Sequence, residues 1–282
     1  MPTTVAQELG AQLLRRLRAD PSATVAHFVD RRGHDQVISS AGLLRRAAGL
    51  ATAISVDFDT RHRPITITEP QGPEALVAVV SCLCAGFAFH VRPRSSLDAT
   101  HDGLVLTGPH ATVPCGQFRC EIALGAVADA DPSVFDDFST GALEPYAGDA
   151  FPDVPETIVR MQINAASVVA SFAAIDHGVG LAASMLAPVL AGSRLVRSDE
   201  SFFLRNPSRW LRLLDEHEVT HAVIPHSALT RLSLEPGKWP ELRHMKFIIT
   251  DRIDSDDVDL LLAGAIGTST DRSIRVISLS HC

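Results

Sequence analysis

The sequence predicts an α/β protein in which mostly parallel sheets are flanked by helices. Three observations predict it. Short β-branched apolar runs alternate with stretches of helical spacing along nearly the whole chain. Hydrophobic residues make up 46% and charged residues 21%, the balance of a folded protein with a large core. An acidic, proline-containing stretch, Ala126 to Glu156, then interrupts the rhythm before it restarts.

The elements follow in order. Val5 to Ala19 has apolar residues at helical spacing and stops at Asp20-Pro21. Thr24 to Asp30 alternates as a strand, Arg31-Arg32-Gly33-His34 turns, and Asp35 to Ile38 returns as a hairpin. Ser39-Ser40 caps a helix from Ala41 to about Ile54. Pro64 to Thr68 reads as a strand, and Gly72-Pro73-Glu74 opens a helix that Gly86 closes. Phe87 to Val91 and Gly103 to Thr107 read as buried strands. Beyond the acidic stretch, Thr157 to Gln162 reads as a strand, and Ala165 to Ala174 and Gly180 to Leu190 as helices. Ser193 to Arg197 is a strand, Pro207 to Glu216 a helix, and Val219 to Ile224 and Lys246 to Thr250 are strands. Asp257 to Ala263 reads as a helix and Ile274 to Ser278 as a last strand.

The acidic stretch carries eight carboxylates, four prolines and no lysine or arginine. It marks a boundary between an N-terminal α/β subdomain, 1–150, and a second one, 151–282.

Composition excludes several function classes. A net charge of −8 argues against nucleic acid as a partner, because phosphate contacts need clustered cations. Asp176, His177 and Pro188 interrupt the longest apolar candidate, Ala165 to Ala191, so no membrane span is expected. Met1 to Gly10 is polar and mixed rather than a cationic apolar leader, and a cytoplasmic location is expected. Cys82, Cys84, Cys115, Cys120 and Cys282 have irregular spacing, which suits neither a disulfide framework nor a four-cysteine zinc site. No structural metal is expected.

Two motifs imitate chemistry. His217-Glu218-Val219-Thr220-His221 spells the zinc-protease pattern, which needs an unbroken helix to put both imidazoles on one face. Val219 to Pro225 is β-branched and proline-terminated, so a strand is expected there and the pair separates. Gly178-Val179-Gly180-Leu181-Ala182-Ala183 matches a dinucleotide-binding fingerprint, with Asp199 about twenty residues on. The alanine-rich segment before it and Pro188 within the following helix favour a glycine turn between two helices instead.

The collinear order of several segments resembles the large N-terminal domain of the adenylate-forming acyl ligases, the fatty acyl-AMP ligases in particular. Phe28-Val29-Asp30-Arg31-Arg32-Gly33 and Leu43 to Ala48 resemble that family's opening hairpin and first helix. Pro64 to Pro70, Gly72-Pro73-Glu74 and Cys84-Ala85-Gly86 resemble the next strand, turn and helix end. His177-Gly178-Val179-Gly180-Leu181 resembles its His-Asp-x-Gly-Leu segment, and Ala187 to Val196 the helix end and strand after it. Asn206-Pro207-Ser208-Arg209-Trp210-Leu211 resembles its arginine-proline-x-x-tryptophan-leucine helix, and Val219 to Pro225 the strand entering the acyl pocket.

The resemblance implies an acyl-type pocket near His177, Trp210, Pro225, His226 and Leu229. It also implies a degenerate sequence. The family's phosphate loop carries Pro-Lys-Gly, whereas its nearest remnant, Ser139-Thr140-Gly141 before Pro145, has no lysine and sits among carboxylates. The aspartate after the motif histidine is Gly178, and the adenine-site Gly-Ala-Glu is replaced by Asp251-Arg252-Ile253. The sequence stops about where the family's Tyr-Gly-x-x-Glu begins, so a truncated ligase without the mobile C-terminal domain is expected. The expectation is a catalytically inactive fatty acyl-AMP-ligase-like protein without a cofactor, serving as an acyl-binding or docking module in lipid metabolism. Its expected partners are a second copy, an active acyl ligase or an acyl-carrier protein. The alternatives are an acyl-activating ligase completed by a partner chain, which would use ATP and magnesium, and a dinucleotide-binding protein.

Overall fold

A computed structural model describes residues 5–57, 65–68, 72–92, 103–108, 120–124, 126–138, 153–175, 178–233, 242–251 and 274–279. The chain divides into two compact units. One comprises 1–24, 38–151 and 176–178, and the other 25–37, 152–175 and 179–282, so the hairpin belongs with the later sequence.

The first unit is built around a four-stranded parallel sheet in the order β4 (Phe89–Val91), β3 (Ile65–Ile67), β5 (Leu104–Thr107), β6 (Cys120–Ala123). Every residue of β3, β4 and β5 is buried, Thr66, His90 and Thr107 included, as in parallel strands covered on both faces. Helix α3 (Gly72–Ala85) packs against both α1 (Val5–Ala19) and α2 (Ser40–Asp57). Gly86 at φ 73° closes α3 in the left-handed conformation that glycine adopts without penalty, and the amide of Phe87 returns to the Cys82 carbonyl at 2.8 Å. Gly10 lets α1 approach α3 closely: a β-carbon there would lie 2.1 Å from the Leu83 carbonyl oxygen. Ser39 Oγ accepts from the Gly42 amide at 3.2 Å and caps α2 as expected. A short helix, α4 (Val134–Asp137), lies in the acidic stretch and packs on α2.

The second unit holds a seven-stranded sheet. Its order is β11 (Arg275–Ser278), β10 (Phe247–Thr250), β9 (His221–Val223), β7 (Val168–Ser171), β8 (Arg194–Ser198), β1 (Thr24–Val29), β2 (Asp35–Ser39). The pairs from β11 through to β1 are parallel. Helices α8 (Glu200–Arg205), α9 (Pro207–Glu216) and α10 (His226–Ser233) follow β8 and β9. A core of Phe172, Phe203, Trp210, Leu211, Leu214 and Leu229 joins α8, α9 and α10 to the sheet.

Two expected elements change type. Thr157 to Gln162 is not a strand but part of helix α5 (Val154–Met161). Asp153 Oδ1 accepts from the Glu156 amide at 2.8 Å, Pro155 sits in the first turn, and Val154, Thr157 and Met161 form one buried face. Those start signals and that spacing outweigh the β-branched run Thr157-Ile158-Val159. Ala165 to Ala174 is not a helix: its centre is β7. Asn164 Oδ1 takes the Ala166 amide at 2.9 Å in a turn, and Val168-Val169 then pairs between β8 and β9. The flanking alanines mimic helix propensity in what is a strand buried at mid-sheet. Helices α8 and α10 and strand β6 are not anticipated from sequence. The expected helix Asp257 to Ala263 lies outside the described residues, as do Cys115 and Cys282.

No helix among the described residues is long and apolar enough to cross a membrane.

Candidate functional site at the carboxyl edge of the seven-stranded sheet

The chain runs from β7 to β8 on one side and then places β9 on the other side of β7, so strand order reverses between β7 and β9. In open α/β sheets the crevice beyond the carboxyl ends of the strands at such a reversal is the place where ligands bind.

Ser171 closes β7 at that crevice. Its hydroxyl donates to the Val223 carbonyl at 3.0 Å and accepts from the Ala173 amide at 3.0 Å, joining the ends of β7 and β9. Beyond Val223, the Ile224 amide bonds Ile249 at 2.8 Å, and Pro225 begins the turn into α10. Pro225 fits there because it continues no strand, and its carbonyl takes the amides of Ala228 and Leu229 at 2.9 and 3.1 Å. Pro225 and His226 are half-buried. The His226 amide donates to Asp251 Oδ1 at 2.8 Å, and Thr250 Oγ1 donates to the same oxygen at 3.2 Å. The carboxyl edge of β7, β9 and β10 is thus polar, with the hydroxyls of Ser171 and Thr250 buried and His226 and Asp251 nearer solvent.

Beneath this edge the side chains are apolar. Trp210 is fully enclosed, with the Phe172 and Phe203 rings edge-on to it at 5.1 and 5.7 Å, and Phe172 stacks on Phe203 at 4.3 Å. Leu229 is buried in the same core. Of the residues expected to line an acyl pocket, Pro225 and His226 follow the carboxyl end of β9, while Trp210 and Leu229 are packed in the core. His177 lies outside the described residues, as do Ser139, Thr140 and Gly141.

Arg197, near the end of β8, is absent from the sequence-based site. It is 1% exposed. Its guanidinium donates to the Ala173 carbonyl at 2.6 Å, the Ser184 carbonyl at 2.9 Å and Ser184 Oγ at 2.7 Å. These bonds tie the segment after β7 to the helical stretch before β8. No carboxylate pairs with it among the described residues, and burial pushes its pKa down to about 10. A lone arginine inside a strand reads as a surface residue, so no local signal reveals it.

The two motif imitations resolve differently. Helix α9 ends at Glu216, and Glu218 adopts φ 56°, so His217 and His221 do not share a helical face. His221 enters β9 instead, stacks on Phe247 at 4.8 Å and shares a 2.7 Å hydrogen bond with Thr220 Oγ1. Burial, reinforced by the Lys246 charge, pushes its pKa down to about 4. Burial and the neighbouring His27 also hold His217 below the ordinary histidine range.

The glycine motif does follow a strand, contrary to the two-helix expectation. However, six residues separate Ser171 from Gly178. Gly178 and Gly180 are the first and third residues of helix α6 (Gly178–Leu181), which continues through a π-turn, Ala182–Leu186, into α7 (Ala187–Ala191). A dinucleotide site needs the glycines in a tight strand-to-helix turn, whereas Gly178 and Gly180 lie within helix α6. Asp199 caps α8, its carboxylate taking the Ser201 amide at 2.7 Å.

No protein-family model and no curated protein matches the sequence. Solved structures do match. A fatty acyl-adenylate ligase from Legionella pneumophila, solved with acyl adenylate and pyrophosphate, superposes with a TM-score of 0.74 at 13% identity, over 90% of this chain and 51% of that one. A structure from a study of fatty acyl-adenylate ligases of E. coli and L. pneumophila gives 0.70 at 15% identity, over 96% and 57%. An adenylation domain of a keto acid-selecting NRPS module, bound to keto acyl adenylate, gives 0.68 at 16% identity, over 92% and 57%. The chain spans about half the length of these structures. Identity this low establishes the fold alone: this chain has the fold of the adenylate-forming acyl ligases and NRPS adenylation domains, over about half of its extent.

Proposed function

We propose that this chain binds an acyl ligand at the carboxyl edge of its seven-stranded sheet and does not itself form an acyl adenylate. The observation that carries the reading is a mismatch between two parts of one fold. Strand order reverses between β7 and β9, and Pro225 and His226 follow directly on the carboxyl end of β9. The sequence in the place of the phosphate loop, Ser139-Thr140-Gly141, has no lysine within the acidic stretch around it. Adenylate transfer needs preorganised cations around the reacting phosphorus, and losing such groups costs orders of magnitude in rate.

On this reading the chain is a non-catalytic ligase-fold module of lipid metabolism. Pro225, His226 and Leu229 contact the acyl ligand, with Trp210 as the floor. It docks as a second copy on itself, on an active acyl ligase, or on an acyl-carrier protein.

The test is calorimetric titration with a non-hydrolysable acyl-adenylate analogue, run beside the free fatty acid. Binding of the fatty acid, with no gain from the adenylate half, is the expected result. Tight binding of the analogue alone would overturn it. That outcome would favour the second reading, an acyl-activating ligase completed by a partner chain with ATP and magnesium. ATP-dependent activity appearing on mixing the two chains would establish that alternative.

A further inference from the structure

The hairpin of β1 and β2 places His27 beside Asp35, and the end of α9 brings His217 to the same point. His27 Nδ1 lies 2.8 Å from Asp35 Oδ2. The His27 and His217 rings meet edge to face with centroids 5.0 Å apart. One ligand atom from each of the three residues lies within 4.8 Å of the others. The two histidines are half-buried and the aspartate is exposed, so solvent reaches the cluster.

We propose that His27, Asp35 and His217 bind one divalent transition-metal ion of the zinc class. Two imidazoles and a carboxylate are a donor set for borderline cations such as Zn²⁺, Co²⁺ and Ni²⁺, not for Ca²⁺ or Mg²⁺, which take oxygen ligands. The ring separation fits one shared ion. A metal–nitrogen distance of about 2.0 Å puts each ring centroid about 3.2 Å from the metal, and at a tetrahedral angle the centroids stand about 5.2 Å apart. Tetrahedral ligand atoms are about 3.3 Å apart, so the Asp35–His27 contact opens slightly while the widest pair closes by about 1.5 Å.

Both sides of the cluster are held in place. In the hairpin turn, Asp30 accepts the Arg32 and His34 amides at 2.8 Å each, and Gly33 takes φ 89°. At the helix end, the His217 amide bonds Leu213 at 3.1 Å, and Arg194 Nη2 donates to the His217 carbonyl at 2.7 Å. That arginine is the cation beside the site, and the Asp35 carboxylate offsets it. The fourth coordination position falls to water, as in zinc sites with three protein ligands. The ion would fasten the hairpin to the end of α9, an attachment independent of the acyl reading above.

The experiment uses the full chain, stripped with a chelator and titrated with Co²⁺ while the visible d–d absorption is followed. Expected is one equivalent of tetrahedral-type Co²⁺, displaced by Zn²⁺, with Zn²⁺ also raising Tm. Asp35→Asn is expected to weaken binding by more than about tenfold, a loss that even removal of an outer-sphere partner can cause. His217→Ala should abolish the spectrum. His34→Gln, on the same hairpin but outside the cluster, should leave it unchanged. Circular dichroism checks that the variants are folded. A spectrum unchanged in His217→Ala, a thiolate-to-cobalt charge-transfer band, or no binding by the wild-type chain would each overturn the proposal.

Discussion

Arg197 Nη2 donates a 2.6 Å hydrogen bond to the carbonyl of Ala173, across the gap between β8 and the segment leaving β7. The same guanidinium holds Ser184 through its carbonyl and its hydroxyl. One cation therefore satisfies three acceptors in a place with no paired carboxylate among the described residues. Either apolar replacement removes the buried charge and leaves those oxygens without this donor, but methionine keeps more of the buried volume than alanine. Arg197→Ala should lower stability by about 3 kcal/mol or more, and Arg197→Met by clearly less, as measured by urea unfolding. Equal losses would mean that the hydrogen bonds, not the buried volume, account for the whole effect.

Gly33 makes a second, sharper test of local structure. At φ 89°, any L-residue there is strained by about 1–2 kcal/mol. A β-carbon would also approach Arg209 Nη2 to 2.2 Å, but that atom is the free end of a long side chain that bonds the Arg32 carbonyl at 3.3 Å. Backbone strain should therefore dominate. Gly33→Ala should destabilise by about 1–2 kcal/mol, and adding Arg209→Ala should not restore the loss. Recovery in the double variant would place the cost in the clash.

Much of this fold is legible in the sequence because its signals are local. Asn206-Pro207 supplies both a cap and a first-turn proline, and α9 runs from Pro207 to Glu216 as the spacing predicts, with Asn206 Oδ1 taking the Arg209 amide at 2.9 Å. Around β7 the signals conflict: alanines say helix, while the two valines form a strand because β8 and β9 pair on either side. Local propensity loses to tertiary pairing there. At the candidate site, the resemblance marks Pro225 and His226 in the sequence. The reversal of strand order beside them is not legible there, because it depends on the long-range pairing of β7 with β9. The His27–Asp35–His217 cluster is hidden for the same reason. The sequence motif couples His217 to His221, four residues away, while the fold couples it to a hairpin near the other end of the chain.

His221 gives the pH prediction. Its folded pKa, about 4, lies below the ordinary histidine value near 6.5. Between those values the unfolded chain binds more protons, so stability falls as pH drops from about 6.5 toward 4. His221→Phe keeps the stack on Phe247 and removes the titrating group. Denaturation midpoints measured across this range should fall less steeply in the variant, with other histidines and carboxylates supplying the remaining slope. Parallel curves would mean that the imidazole charges without cost in the fold.

Trp210 separates a core role from a ligand role. It is fully buried between Phe172 and Phe203, and its indole Nε1 has no hydrogen-bond partner among the described residues. Its contribution is therefore volume and ring contact rather than a polar bond. Trp210→Ala should cost about 3–5 kcal/mol, the range for a deleted core aromatic. Trp210→Phe keeps an aromatic edge against both neighbours and loses no hydrogen bond, so its cost should be less than half as large. That folded variant is the one to titrate with fatty acid. A loss of affinity beyond its small stability cost would put the acyl chain against the indole. Unchanged affinity would confine the ligand to the rim of Pro225 and His226, leaving Trp210 as the support that fixes α9 beneath it.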